Sequence, residues 1–424
     1  MSADDLKAPS RRRFLGTAGL AGAAASLPAS AARAVGMPES EMAKAEGGAL
    51  PFYGARQQGI ATPMQSSLYF AAFDLTATKR EDVVALLKRW TEASARLCAG
   101  LPAEAGMQDD EEPGLDSGEA LGLRPANLSI TFGFGPDLFT LNGKDRYGLA
   151  HLRPAALVDL PSFNGDQLVP DQCGGALCVQ ACANDTQVSF HAVRQLARLA
   201  YGVARIKWAQ SGFSPATVSP TTPRNLMGFK DGTQNPSGQM LADVVWVKDG
   251  ASPWMQNGSY MVARRIRIAL EHWDRMKIAF QEQTFGRQKV SGAPLGGKHE
   301  FDKPDYNAVD ADGNLVIPQN AHMRLGAAEF NGGAQILRRS YSYNNGAVFT
   351  AERWPPWQQA IEFDSGLFFQ AYQSDPRTGF IKIFDKMSKF DMLNQFTTHV
   401  NSAVFACPPG ARQGGYIGET LFTA

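Results

Sequence analysis

The stretch Asn320–Tyr343 reads N-A-H-M-R-L-G-A-A-E-F-N-G-G-A-Q-I-L-R-R-S-Y-S-Y and joins one histidine to a strand-like run. His322 lies near its start, and Arg338 and Arg339 are adjacent near its end. Successive side chains of a strand point to opposite faces, so one of these arginines faces inward if the strand is half-buried. A buried arginine needs a carboxylate or an anionic ligand as partner. The stretch therefore predicts a functional site within a β-containing fold.

A second stretch, G-F-K-D-G-T-Q-N-P from Gly228 to Pro236, carries one carboxylate, Asp231. The glycines on either side of it let the backbone approach a flat ligand closely. An ordinary Asp-Gly turn is the alternative, and it is commoner for such a pair taken alone. The residues by themselves thus predict a histidine, a loop aspartate and an inward-facing arginine at a functional site. They do not indicate which reaction these side chains perform together.

Composition and missing motifs exclude several classes of function. The 424 residues carry a formal net charge of zero, which argues against nucleic acid or an anionic membrane as the main partner. None of the six histidines has H-x-x-x-H or H-E-x-x-H spacing, and P-loop, G-x-S-x-G and dinucleotide-binding motifs are missing from the sequence. The five cysteines include no C-x-x-C pair, so we expect free thiols and no zinc or iron–sulfur site.

The N-terminus has the pattern of a targeting segment. S-R-R-R-F-L at Ser10–Leu15 precedes a short apolar run, and Ala32-Arg33-Ala34 provides small residues for cleavage. Paired arginines before Phe-Leu indicate a twin-arginine signal peptide over residues 1–34. A disordered basic tail is the alternative. Export with cleavage after Ala34 predicts a periplasmic or otherwise exported protein with no membrane span in its mature part.

Residues 35–220 show a β-α-β-β-α-β order. Thr78 with Glu81 forms a capping box for the first helix, and Asp185 caps the second, which extends to about Tyr201. Alternating or apolar runs predict four strands at Ser67–Leu75, Leu128–Phe134, Ala176–Ala183 and Arg205–Trp208. This order is typical of the ferredoxin-like unit.

Residues 221–424 follow a Ser/Thr/Pro linker at Pro215–Pro223 and partly repeat that order. We expect a helix capped by Asp274 to about Phe285, a long loop Gly286–Gln319, and a helix over about Thr378–Phe396. Strands are expected at Ser259–Glu271, Gln335–Tyr343, Gly366–Gln373 and Ser402–Ala406. One position stays unfilled, with Ala321–Leu325 as a candidate short strand or turn. The fold prediction is α+β, with two ferredoxin-like βαββαβ units in one compact body.

Four motifs together resemble one family. They are G-F-K-D-G-T-Q-N-P, F-G-R-Q-K-V-S-G-A-P-L-G from Phe285, His322, and I-L-R-R-S-Y-S-Y. In this order and spacing they are similar to the dye-decolourising (DyP-type) haem peroxidases, and especially to the exported EfeB-type deferrochelatase/peroxidases. P-F-Y-G-A-R-Q-Q-G-I at Pro51–Ile60 and the run Asn257–Ile268 extend the similarity over nearly all of the mature chain. The family fold, a pair of ferredoxin-like units, agrees with the predicted order of elements.

The resemblance implies one haem b per chain and assigns roles around it. His322 resembles the proximal ligand of the iron, and Asp231 resembles the distal acid–base residue. Arg338 looks like the distal arginine, with Arg339 as the alternative if the strand register differs. Arg287 of F-G-R resembles the residue that pairs with a haem propionate. The residues that would pass over the haem are Gly232, Thr233 and Gln234.

This chain departs from the family pattern near the ligand. Asn320-Ala321 replaces the Asp-Ser that usually precedes the histidine, and Ala327-Ala328-Glu329 replaces an N-P-R. The family also places a carboxylate in the last helix to orient the proximal histidine; the matching place here falls near Asn394, with Asp391 close by. If Asn394 is the orienting residue, imidazolate character drops and the iron reduction potential rises.

The resemblance predicts an enzyme that reduces hydrogen peroxide and oxidises organic donors. Haem-iron extraction or ferrous-iron oxidation beside an iron permease is the alternative, and a haem carrier with little turnover is a further one. Binding alone needs neither Asp231 nor Arg338, which disfavours a pure carrier. A non-haem structural α+β protein is the remaining alternative. Members of the family often form dimers or larger assemblies, so the resemblance implies a homo-oligomer.

Overall fold

The computed structural model describes residues 48–106, 111, 114–215, 222–248, 250, 252–351 and 359–424. The predicted signal peptide and most of the predicted Pro215–Pro223 linker lie outside these residues. The body of the chain, Ala43–Ala424, forms a single unit. Among the described helices, none is both long enough and apolar enough to cross a membrane.

The strands were largely predictable because apolar residues mark their buried faces. Those of the first half are β1 (Ser67–Leu75), β2 (Ser129–Phe134), β3 (Thr140–Leu141), β4 (Lys144–Asp145), β5 (Leu177–Ala183) and β6 (Ala204–Phe213). Those of the second half are β7 (Ser259–Ile268), β8 (Leu337–Arg338), β9 (Tyr341–Ala351), β10 (Gln359–Gln373), β11 (Thr397–His399) and β12 (Ala403–Cys407). The predicted strand Gln335–Tyr343 is therefore two strands, with Arg339 and Ser340 between them.

The main sheet is antiparallel and closes on itself. Its order is β11-β7-β12-β2-β5-β1-β6-β9-β10-β8, and a further pairing joins β7 to β10. This pairing closes the strands between β7 and β10 into a barrel-like ring, which leaves β11 and β8 outside it. Strands β2-β5-β1-β6 come from the first half and β12-β7-β10-β9 from the second. The halves meet through single pairs, Phe134 with Ala406 and Phe213 with Ser342.

The longest helices pack against the outer face of the ring. They are α1 (Arg80–Cys98), α2 (Pro136–Phe139), α3 (Thr186–Leu199), α4 (Gly238–Val245), α5 (Leu270–Trp273), α6 (Ile278–Phe285), α7 (His322–Gly326), α8 (Phe380–Phe390) and α9 (Glu419–Phe422). Short 3₁₀ turns occur at Ala150–Leu152, Pro170–Gln172, Pro253–Met255, Ala328–Asn331 and Met392–Gln395. The body is thus α+β, as the sequence predicted.

The helix starts show where sequence signals succeed and fail. Asp185 caps α3 as predicted, because its carboxylate accepts from the backbone N–H groups of Gln187 and Val188. The capping box predicted at Thr78 is wrong: α1 begins at Arg80, after Lys79, without a side-chain cap. The cap predicted at Asp274 is also wrong, because Asp274 follows the end of α5 and α6 begins only at Ile278, after Lys277. Ala321–Leu325 is no strand, because His322 starts α7.

The two faces of the ring form two separate cores. The outer face packs Phe73, Phe132 and Val179 against Trp90 of α1 and Leu196 of α3. The inner face is filled mainly by aromatic and sulfur-containing side chains, among them Phe70, Cys178, Cys182, Trp208, Met261, Tyr341, Tyr372, Phe405 and Cys407. All five cysteines are free thiols, as predicted. Because side chains fill the interior of the ring, we expect the functional residues in the loops and at the strand ends around it.

Candidate functional site

His322 is held by a buried carboxylate. Its Nδ1 lies 2.6 Å from Oδ2 of Asp391, whose side chain is 4% exposed. Oδ1 of Asp391 accepts from the backbone N–H of Leu393, so the carboxylate is fixed at both oxygens. With Nδ1 as the donor to Asp391, the Nε2 lone pair of the neutral imidazole is available for a ligand. The pair therefore fixes both the orientation and the tautomer of His322.

The electrostatics of this pair raise the basicity of the imidazole. Burial works to lower the pKa of His322, but the charge of Asp391 and its hydrogen bond outweigh burial and raise the pKa above its ordinary value. A carboxylate on Nδ1 is the usual way in which proteins increase the electron donation of a metal-binding histidine.

Of the two residues that the sequence places near this position, Asp391 and not Asn394 is bonded to His322. The Asn394 amide instead donates to the carbonyls of Met387 at 2.9 Å and Ser388 at 3.0 Å, at the end of α8. Asp391 follows α8 directly and is the first residue of the turn that leads to Met392–Gln395. Sequence reasoning noted Asp391 only as a neighbour, because the break in the helix after Phe390 that turns it toward His322 has no strong sequence signal.

Asp231 and Arg338 form an ion pair. Nη1 of Arg338 donates to Oδ1 of Asp231 at 2.7 Å, and the two side chains are 27% and 23% exposed. Asn235 fixes the backbone of Arg338 from both sides: its Oδ1 accepts from the N–H at 3.1 Å and its Nδ2 donates to the carbonyl at 2.8 Å. The Asp231 loop and the Arg338 strand are thereby joined. Asn235 is a positioning residue that the sequence analysis missed.

The register of the strand separates the two arginines. Arg338 pairs with Ala371 of β10 and turns toward Asp231. Arg339 is buried, and its guanidinium donates to the carbonyl of Thr62 at 2.5 Å and to the side chain of Gln65. Arg339 thus anchors the N-terminal segment before β1. The structure brings Arg338, and not Arg339, together with the loop aspartate.

The Asp231–Arg338 pair and the His322–Asp391 pair lie near each other. The charges of Arg338 and Asp231 both influence the pKa of His322, Arg338 lowering it and Asp231 raising it. Aromatic rings connect the two pairs. The ring of Phe229, two residues before Asp231, stacks on that of Phe285 with a centroid distance of 4.0 Å. The centroid of the Phe285 ring lies 5.9 Å from that of the His322 ring. Residues distant in sequence therefore surround one site.

Arg287 and residues on both sides of Asp231 lie around a further carboxylate, Glu300. The Lys230 ammonium contacts Oε2 of Glu300, and the Thr233 hydroxyl donates to its Oε1 at 3.0 Å. Burial works to raise the pKa of Glu300, but the hydrogen bonds of Lys230 and its other neighbours lower it below its usual range. Nη1 of Arg287 donates to the backbone carbonyls of Gly292 at 2.6 Å and Glu300 at 3.0 Å.

Arg287 also keeps one donor without a partner. Arg287 is 6% exposed, and its Nη2 makes no hydrogen bond with the described residues. Burial lowers its pKa, and the nearby positive charge of Arg338 acts in the same direction. A buried guanidinium nitrogen without an acceptor is costly, so an anionic ligand group at this place would stabilise it.

Glycine is required at two positions of this site. Gly232 has φ of +118°, which side-chain-bearing residues rarely adopt, and this lets the chain turn directly after Asp231. Gly286 ends α6 in the left-handed conformation at φ +79°, and a Cβ there would lie 2.7 Å from Cγ of Met323. Gln234 is exposed beside Thr233. The predicted loop residues thus adjoin the ion pair of Asp231 and Arg338.

Comparison with known proteins identifies the class. The family model "Dyp-type peroxidase, N-terminal" matches residues 57–214, and "Dyp-type peroxidase, C-terminal" matches residues 222–412. The chain belongs to the DyP-type peroxidase family. It is a haem peroxidase with a haem cofactor, as its sequence predicted.

The relatives include both peroxidases and deferrochelatases. The dye-decolorizing peroxidase of Thermobifida fusca (strain YX) is 35% identical over 450 residues, covering 98% of this chain and 97% of that protein. The deferrochelatase of Escherichia coli (strain K12) is 35% identical, covering 97% of each chain. Among solved structures, a DyP-type peroxidase from Streptomyces coelicolor is 39% identical with a TM-score of 0.81, covering 90% of this chain and 99% of that one.

Proposed function

We propose that His322 would hold the haem iron and that Asp231 and Arg338 would act on the hydrogen peroxide that reacts there. The observation that carries this proposal is geometric: the Asp231–Arg338 ion pair and the His322–Asp391 pair are joined through the packed rings of Phe229 and Phe285. The proposal adds residue roles to the peroxidase activity that the family membership gives.

The donor set fits haem. His322 offers Nε2, because Nδ1 is engaged with Asp391. The ring of Phe285 provides an aromatic contact beside it. The unpartnered Nη2 of Arg287 matches a propionate, as a guanidinium forms its strongest hydrogen bonds with carboxylates. These residues support the predicted roles of His322 as iron ligand and of Arg287 as the propionate partner.

When bound, haem supplies an iron that takes two oxidising equivalents from peroxide and passes them to the donor. Asp231 accepts a proton from one peroxide oxygen and returns it to the other, so that the leaving oxygen departs as water. Arg338 holds Asp231 in place through the 2.7 Å hydrogen bond and offers positive charge to the oxygen that becomes negative. Proton transfer of this kind contributes about 10²–10⁴ in rate.

Asp231→Asn tests this assignment in the haem-loaded protein. We expect the second-order rate of reaction with peroxide, followed at the Soret band by stopped flow, to fall by about 10²–10⁴. Arg338→Leu is expected to slow the same step. Asp243→Asn, which replaces an aspartate of α4 paired with Lys248, is the matched control and keeps the wild-type rate. A variant Asp231→Asn with the wild-type rate and an intact Soret band would refute the proposal.

Iron removal from haem is the second candidate function, supported by the relatives that bear the name deferrochelatase. Incubation of the haem-loaded protein with a reductant and an iron chelator distinguishes the two functions. Appearance of metal-free porphyrin fluorescence with an undamaged ring supports iron removal. A porphyrin that stays metallated, together with turnover of peroxide, supports the peroxidase function alone.

We further infer two ferredoxin-like units, residues 35–220 and 221–424, the second carrying most of the haem site. The orders β2-β5-β1-β6 and β12-β7-β10-β9 support this division, because each equals the order expected of an antiparallel βαββαβ sheet. We also propose export through the twin-arginine pathway, from the paired arginines near the N-terminus. A homo-oligomer and cooperation with an iron-permease system complete the proposal.

A further inference from the structure

A polar pocket apart from the Asp231–Arg338 pair lies at one end of the ring, between β6 and β7, which do not pair with each other. Its volume is about 230 Å³, and its lining includes Gln172, Lys207, Trp208, Gln210, Arg265 and Asn401. Arg265 follows Met261 and Ala263 on the inner face of β7, and Trp208 and Gln210 alternate on the inner face of β6. The pocket therefore opens where the apolar filling of the ring ends.

Unsatisfied amides line this pocket. Asn401 is 1% exposed, yet its Oδ1 accepts no hydrogen bond from the described residues. Oε1 of Gln210, which is also buried, has no donor among those residues either. Buried polar atoms are nearly always hydrogen-bonded in native proteins. A rotation about the last torsion of Asn401, which has a broad energy profile, turns either amide atom toward the pocket.

The pocket also carries positive charge. Arg265 donates to the side chain of Gln172, its buried Nε has no partner, and among the described residues no carboxylate pairs with it. Lys207 reaches the lining because the β1–β6 register shifts next to it, between the pairs Ala72 with Trp208 and Phe73 with Ile206. The ammonium of Lys207 contacts Asp74 at 3.5 Å, so Arg265 is the main source of uncompensated charge.

One wall of the pocket is aromatic. Trp208 donates from its indole nitrogen to the carbonyl of Gly174 at 2.9 Å and stacks on Phe70 with ring centroids 5.0 Å apart. These contacts hold the indole in one orientation, as a fixed surface for a flat ligand. An indole wall, a guanidinium and unpaired amide oxygens together select a planar anion that also has a hydrogen-bond donor.

We propose that this pocket binds a small aromatic carboxylate that bears a hydroxyl group. The carboxylate pairs with Arg265 and Lys207, the hydroxyl donates to the amide oxygen of Asn401 or Gln210, and the ring lies against Trp208. The volume of about 230 Å³ is below the range of about 300–1,000 Å³ of pockets for drug-sized ligands, which limits the ligand to roughly one ring.

This pocket is separate from the haem site. In the register of β10, Arg265 is opposite Phe368 and Arg338 is opposite Ala371. The three-residue step between these pairs corresponds to about 10 Å along the strands. None of the residues lining the pocket takes part in the Asp231–Arg338 or His322–Asp391 pairs. Ligands of the haem iron should therefore leave binding in the pocket unchanged.

Calorimetric titration of the haem-loaded protein with 4-hydroxybenzoate tests the proposal. We expect saturable binding that persists in saturating cyanide, which occupies the haem iron. Benzoate should bind several-fold more weakly, since it lacks the hydroxyl, and 4-hydroxybenzamide should bind at least tenfold more weakly, since it lacks the charge. No binding at millimolar concentration, or displacement by cyanide, would overturn the proposal.

Two variants tie the binding to the pocket. Arg265→Gln is expected to weaken binding at least tenfold, and Arg205→Gln is the matched control, because it removes a cation of β6 that does not line the pocket. If Arg265→Gln fails to fold, Lys207→Gln replaces it, with an expected several-fold loss. Unchanged affinity in the folded variant, or an equal loss in Arg205→Gln, would show that the pocket is not the site.

Discussion

Replacing Asp391 by Asn should raise the reduction potential of the iron. Asp391 is buried and hydrogen-bonded to Nδ1 of His322 at 2.6 Å, so bulk water screens its charge little. An amide in its place accepts the same hydrogen bond without the negative charge. The imidazole then donates less electron density, which destabilises the ferric state relative to the ferrous state.

The size of the effect follows from the change in hydrogen-bond type. A hydrogen bond to a charged group contributes about 1.5–3 kcal/mol and a neutral one about 0.5–1.5 kcal/mol, so the loss is about 1–1.5 kcal/mol. A free-energy change of about 1.4 kcal/mol corresponds to a factor of ten in an equilibrium constant and to about 59 mV in the reduction potential of a one-electron couple. Asp391→Asn should therefore raise the ferric/ferrous midpoint by about 40–65 mV and lower the ferrous iron–histidine stretching frequency.

Spectroelectrochemical titration of the haem-loaded protein and resonance Raman spectroscopy measure the two quantities. Asn394→Asp is the matched control: it adds a carboxylate where the family pattern expects one, but its side chain faces the end of α8. We expect its midpoint to equal that of the wild type. A midpoint that moves in Asn394→Asp and not in Asp391→Asn would refute the assignment of Asp391.

Three further variants test other parts of the site. Arg287→Lys keeps a positive charge but loses the unpartnered Nη2, and should raise the haem dissociation constant about tenfold in a transfer assay with apomyoglobin. Arg339→Gln should lower the melting temperature while the rate with peroxide stays within about twofold, because the Arg339 guanidinium bonds the N-terminal segment and lies beside Tyr341 and Cys182 of the inner core, without a contact to Asp231 among the described residues. A rate loss equal to that of Arg338→Leu would contradict the register. Lys230→Met should destabilise the protein at neutral pH by about 3 kcal/mol, since it leaves Glu300 buried without its cation. The pKa of Glu300 is lowered in the folded protein, so this stabilisation is complete above about pH 4.3, the unfolded value, and disappears as pH falls through the folded value. The melting-temperature difference between wild type and Lys230→Met should therefore shrink below pH 4, and a difference independent of pH would contradict this.

Local sequence patterns determined most of the strands and the family. The apolar run of β1 and the Asp185 cap of α3 depend on residues within a few positions of each other, so their signals are visible in the sequence. The motifs around Asp231, Arg287, His322 and Arg338 were recognisable because each is a short run of neighbouring residues. The departures at Ala321 and Ala327-Ala328-Glu329 could also be read directly from the chain.

Long-range geometry decided the rest. Which arginine faces the aspartate depends on pairing of β8 with β10, and which carboxylate orients His322 depends on where α8 ends. The closure of the ring depends on β7 pairing with both β10 and β12, two strands that lie far from β7 in the sequence. Such contacts join residues far apart in sequence and depend on backbone direction and packing, so only the tertiary structure specifies them.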